Sequence, residues 1–124
     1  HKVEFFGIQS NIVTLQLPSR KREEYVSSDS VATNEFTITV ATIGEVAFIG
    51  LGGEPSVEIG LKIKEASPFK YNFVVAHCNG GSGYLSPKEY YSERGYEVTY
   101  SQFGPEAADI VVKKTLTMLY KQYK

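Results

Sequence analysis

A carboxylate stands where a bound anion would be expected. The stretch GLGGEPSVEIG, residues 50–60, passes from an apolar segment through glycines into a helical pattern. That layout elsewhere cradles phosphate on backbone N–H groups. Here Glu54 occupies the turn and would repel a phosphate. A dinucleotide fingerprint also needs glycine where Pro55 stands, and a P-loop needs a Gly-Lys-Ser/Thr run that is absent. Two accounts of Glu54 stay open. It could complement the helix dipole, or it could be a carboxylate set at a strand end to bind a cation or serve acid–base chemistry.

The other residues able to do chemistry carry weaker signals. Ser82 lies in Asn79-Gly80-Gly81-Ser82-Gly83-Tyr84, which is not the G-x-S-x-G of a nucleophile elbow. His77 and Cys78 are adjacent on a strand pattern and point to opposite faces, so they form no dyad. His77 reads as a packed or edge histidine and Cys78 as a core residue. Tyr84, Tyr90, Tyr91, Tyr96 and Tyr100 crowd into one short stretch, with Phe103 just after. Tyr90 and Tyr96 read as structural rings packing a short helix with their hydroxyls near the rim. An exposed aromatic strip binding a sugar or an acyl chain is the alternative.

The elements that must position these residues follow from periodicity. Val13, Leu15 and Leu17 alternate with Thr14 and Gln16, predicting a half-buried strand over 12–17 that Pro18 stops. Residues 19–34 are polar and Ser-rich and read as a loop. Phe36, Ile38 and Val40 alternate with Thr37 and Thr39, and Ile43-Gly44-Glu45 turns into the apolar run Val46–Leu51. This predicts a hairpin of 35–43 with 46–51. Pro55 at the first helical position opens a helix to Ala66, with an apolar stripe of Ile59, Ile63 and Ala66 and a Glu58–Lys62 pair outside. Ser67-Pro68 ends it. Residues 71–78 form another buried strand, parallel to 46–51 through a right-handed crossover, and 79–83 form an irregular loop. Ser86-Pro87-x-Glu89 predicts a short helix with a capping box. Gly104-Pro105-Glu106 opens a last helix that buries Ala108, Val111, Val112, Thr115 and Leu119 and leaves Lys113, Lys114 and Lys121 wet. The fold class is α/β: a mixed sheet with a hairpin and a parallel βαβ crossover, helices packed on the sheet. Strands 46–51 and 71–78 would then bring Glu54 and the 79–86 loop to one crevice at their carboxyl ends.

Bulk properties narrow the classes. The 124 residues suffice for one domain, and 42% hydrophobic with 22% charged residues is the balance of a folded chain. With 13 basic against 14 acidic residues, no face need track a nucleic-acid backbone. The one basic cluster, Arg20-Lys21-Arg22, meets Glu23-Glu24 at once and reads as a solvated turn. The longest apolar stretch, Val46–Leu51, is far below the roughly 20 residues of a membrane helix. No signal-peptide pattern is visible at the N-terminus. A chain that opens His1-Lys2-Val3 without Met reads as a processed or excised piece of something longer. The single cysteine rules out an internal disulfide and a cysteine-based zinc cage.

The segments IGEVAFIGLGGEPSVEIGLKIKEASPF and VVAHCNGGSGYLSPKEYYSERGYEVTYSQFGPEAADIV resemble the neutral ceramidase family, from about Ile43 to Leu119. The specific points are Gly53-Glu54 at the strand-to-helix turn, Asn79, Tyr84 before Ser-Pro-x-Glu-Tyr, Tyr96-Glu97 and Gly104-Pro105. The resemblance implies part of a zinc-dependent amidase that cleaves the N-acyl bond of ceramide with a zinc-activated water. It also implies zinc held by two histidines, a glutamate and a tyrosine, with Glu54 and Tyr84 in the places of the last two. The family's zinc histidines lie in an earlier part of the domain, and His1 and His77 match neither. Many members carry a tyrosine where this chain has Gly81. The chain thus reads as the C-terminal portion of a ceramidase-like catalytic domain, with half a zinc site and no catalytic residue of its own. Its expected partners are the N-terminal part of that domain and a lipid amide or membrane surface reached through the full-length protein, with no nucleic acid. The resemblance suggests a secreted or periplasmic setting. A catalytically inactive module binding glycan or lipid through its tyrosines is the alternative, and a plain structural domain is the third reading.

Overall fold

Alternation along the first two strands builds the sheet. In the computed structural model, which describes residues 7–20, 33–93 and 95–123, β1 (Ile8–Pro18) pairs antiparallel with β2 (Thr33–Ile43). The Gly44 turn, in the left-handed region at φ 54°, returns the chain into β3 (Val46–Leu51), antiparallel to β2. Most of the polar loop expected over 19–34 lies outside the described residues. So does the basic cluster, apart from Arg20, which is half-buried rather than solvated. The Arg20 guanidinium donates to the carbonyls of Val98 and Thr99.

The parallel crossover is present. β3 leads through β4 (Glu54–Pro55) and α1 (Val57–Ala66) into β5 (Tyr71–Val75), which pairs parallel with β3. The strand order is β1-β2-β3-β5, a mixed sheet as the periodicity predicts. β5 is shorter than the expected 71–78, because residues 76–79 turn with His77 and Asn79 at φ 53° and 58°. The chain then forms β6 (Tyr84–Leu85), a 3₁₀ helix (Lys88–Ser92), the one-turn α2 (Tyr96–Thr99) and α3 (Ala107–Gln122).

Three boundaries differ from expectation for physical reasons. Pro55 does not begin the helix. Glu54 and Ser56 donate their N–H groups to Gly83 and Leu85 carbonyls at 2.7 and 2.9 Å, so the chain stays extended and Pro55 falls at the position whose missing N–H would point away. The capping box is absent. Pro87, extended at φ −62° and ψ 154°, separates Ser86 from the first helical residue, and Ser86 is buried with no hydroxyl partner among the described residues. Ala66 is exposed, so the buried stripe of α1 is Ile59 and Ile63.

The core sits on one face of the sheet. Phe36, Ile38 and Val40 of β2, with Ala47, Ile49 and Leu51 of β3, meet Ile59 and Ile63 of α1 and Ala108, Val111 and Leu119 of α3. Val112 is only partly buried at the edge of this cluster. The other face carries Ile12, Phe48 and Phe73, the last two stacked at 5.3 Å. No helix among the described residues is long and apolar enough to cross a membrane.

Candidate functional site

The glycines of residues 50–53 serve backbone packing. The loop after β5 threads back along this turn: His77 N–H donates to Gly53 O at 2.9 Å, Cys78 N–H to Leu51 O at 3.0 Å and Ser82 N–H to Gly52 O at 2.9 Å. A Cβ at Gly53 would sit 2.6 Å from Gly83 O, and one at Gly50 would meet the Cys78 sulfur. Only glycine admits such an approach. The anion-loop appearance of this sequence therefore comes from two interlaced loops.

That interlacing sets Glu54 beside Tyr84. The two are register partners in the short parallel pair of β4 and β6. Burial raises the Tyr84 phenol above its usual range, and the Glu54 carboxylate adds to the rise. The Tyr84 ring packs edge-on against Tyr96 at 5.8 Å, and Tyr96 leans on Tyr100 at 4.6 Å.

His77 departs from its expected place. In the left-handed region it leaves the strand and turns its ring outward, 57% exposed, with Nε2 3.8 Å from Glu54 Oε2. Such a conformation is uncommon for a residue with a Cβ. Cys78 turns the other way, against Gly50, and is half-buried rather than core. No dyad links it to His77. Ser82 is spent on structure, its hydroxyl donating to Glu35 O at 2.8 Å.

Glu58 and Tyr90 form a pair that periodicity did not suggest. Glu58 was expected to engage Lys62. The nearby Tyr90 phenol holds the Glu58 carboxyl below its usual range, and Glu58 in turn pushes the Tyr90 phenol up to about 12. Tyr91 is structural: its hydroxyl donates to Phe103 O at 2.7 Å. Tyr96 does not pack beneath a helix; it and Tyr100 are 63% and 64% exposed and form an open strip. The signal for the Glu58–Tyr90 meeting was not local, since Tyr90 reaches α1 from another element.

The donor set partly suits zinc. Glu54 and Tyr84 are backbone register partners, and His77 Nε2 lies 3.8 Å from Glu54 Oε2; carboxylate, phenol and imidazole are all zinc-ligand types. Among the described residues, no three His, Cys, Asp or Glu side chains converge as a metal cluster.

No protein-family model and no curated protein matches the sequence. Solved structures do match. The neutral ceramidase from Pseudomonas aeruginosa is 13% identical with a TM-score of 0.71, over 91% of this chain and 28% of that one. A structure described as ceramidase complexed with C2 is 20% identical with a TM-score of 0.61, over 67% of this chain and 14% of that one. The chain thus has the fold of a neutral ceramidase fragment and spans less than a third of the length of those proteins.

Proposed function

We propose that this ceramidase-like chain is part of a zinc-dependent amide hydrolase that cleaves the N-acyl bond of ceramide or a related lipid amide. The observation that carries the reading is the register pairing of Glu54 with Tyr84, next to each other beyond the carboxyl ends of the parallel strands. The likeness of fold supports the same assignment. Glu54 and Tyr84 supply two donors, and the upstream part of the longer protein supplies the histidines. Bound zinc supplies a Lewis acid for the amide carbonyl and activates water. This chain's own contribution is to hold the carboxylate and phenol rigidly, through glycine-tight loops and the β4–β6 ladder. Tyr84 must give up its proton to serve as an anionic ligand, and both its burial and Glu54 oppose that without a cation.

The test is amidase activity of the full-length parent on a short-chain ceramide. Loss of an outer partner at a zinc site costs ~10–100-fold, and loss of a ligand should cost more. Glu54→Gln should therefore remove activity while leaving the circular dichroism spectrum unchanged. A fully active variant would reduce Glu54 to a charge near a helix start.

The exposed Tyr96–Tyr100 pair favours a second reading, an inactive module that binds glycan or lipid through its tyrosines. A parent lacking amidase activity but losing glycan or vesicle binding on Tyr96→Ala would select it.

A further inference from the structure

The two-residue strand β6 is held from both sides, and only one of those sides is a strand. On the β4 side, Glu54 and Ser56 donate their N–H groups to the carbonyls of Gly83 and Leu85. Successive carbonyls of an extended chain point opposite ways, so those of Ser82 and Tyr84 face away from β4. Two side chains meet them there. Gln102 Nε2 donates to Ser82 O, and the Ser101 hydroxyl donates to Tyr84 O, both at 2.8 Å. Ser101 and Gln102 thus stand where a third strand would stand.

This bracket is anchored outside β6. Ser101 is wholly buried, and its oxygen also accepts the Phe103 N–H at 3.2 Å, which orients the hydroxyl. The Gln102 carbonyl accepts from the Arg20 N–H at 2.9 Å and from Asn34 Nδ2 at 3.1 Å. Phe103, also wholly buried, packs edge-on against Phe36 of β2 at 5.8 Å. Just before it, α2 sets the Tyr96 ring against that of Tyr84. One run of chain, 96–103, therefore grips both the main chain and the ring of Tyr84 and ties them to β2.

We infer that Ser101 is a positioning residue for Tyr84: its buried hydroxyl sets the Tyr84 peptide, and through it the place of the phenol relative to Glu54. The hydrogen bond stands on the fold alone; its consequence for chemistry rests on the proposed amidase reading. The phenol oxygen lies at the far end of a long side chain, so a small turn of the peptide is enlarged there. A misplacement of ~1 Å in a reacting constellation can cost ~100-fold in rate.

Ser101→Ala, set against Thr115→Val, tests this. Thr115 carries an equally buried hydroxyl, bonded to Val111 O within α3, and its loss should lower Tm without reaching β6. In this chain without zinc, Ser101→Ala should speed hydrogen exchange of the Glu54 and Ser56 amides about tenfold relative to β2 and β3, the weight of one lost hydrogen bond. It should also weaken the nuclear Overhauser contacts between the Tyr84 and Tyr96 rings. Thr115→Val should do neither. In the full-length parent, Ser101→Ala should weaken zinc binding ~10–100-fold, as loss of an outer partner does, and lower kcat with KM little changed. Ser101→Cys keeps a weaker donor in the same place and should fall between serine and alanine, which serves equally if the alanine variant does not fold. Exchange that rises alike at all amides, or unchanged ring contacts, would make Ser101 a plain structural hydroxyl and overturn the inference. So would a parent whose zinc affinity depends on Glu54 but not on Ser101. A parent with no zinc affinity would sink the amidase reading instead, and the exchange and ring measurements would then decide the role of Ser101 by themselves.

Discussion

At the scale of single residues, the site is a matter of what each oxygen faces. Glu54 has the His77 imidazole nitrogen 3.8 Å from its carboxylate and Tyr84 as its register partner, whereas Glu58 feels the Tyr90 phenol. Zinc titrated calorimetrically into this chain alone should bind with Kd above about 1 μM, because Glu54 and Tyr84 supply two donors where zinc takes three or four. Submicromolar binding that His77→Ala removes would make His77 a third donor. The Glu58–Tyr90 pair has a pH signature of its own. Glu58 is depressed in the fold, so its contribution to stability is present above its unfolded pKa and lost as pH falls through the folded value. Tyr90 is raised, so its contribution is present below the unfolded value near 10 and lost as pH rises through about 12. Tyr90→Phe should return the Glu58 carboxyl toward its ordinary range in a ¹³C titration. An unmoved Glu58 would mean that the hydroxyl does not hold it.

At the scale of elements, the interlaced turns after β3 and β5 decide whether the site exists. A methyl group at Gly53 has no room against the Gly83 carbonyl, while one at Gly81 meets nothing within 4 Å. Gly53→Ala should therefore cost about 1–3 kcal/mol in urea unfolding, the usual cost of forced overpacking, and Gly81→Ala should cost far less. Equal effects would show that the loops are looser than their hydrogen bonds imply. The short β4–β6 ladder explains Pro55 in the same terms, as the one position there that needs no N–H. That proline also shows how a familiar helix-start signal can be overridden, since a two-residue strand pairing claims the neighbouring donors first.

At the scale of the whole molecule, the described residues cover the sheet on one face only. Ile49 is wholly buried under the helices, whereas Phe48, one residue earlier, stacks on Phe73 at the other face with Phe73 53% exposed. Ile49→Ala should cost ~2–5 kcal/mol in thermal or denaturant unfolding. Phe48→Ser should cost nearer the ~0.5–1.5 kcal/mol of an aromatic pair. The sequence by itself determined this layering. Period-two alternation in 12–17 and 36–40, a continuous apolar run at 46–51 and a helical stripe at 59 and 63 are local patterns, and each sets which face of an element leaves water. The parallel crossover followed from two apolar runs joined by an amphipathic helix. What only the tertiary structure decided is who meets at the site. His77 reaches Glu54 because a left-handed turn rotates it out of its strand. Tyr90 reaches Glu58, and Ser86 is buried beside them, because β4 and β6 pair across a long stretch of chain. Those encounters depend on backbone hydrogen bonds between distant segments, which carry no periodicity, and so no pattern of neighbouring residues could announce them.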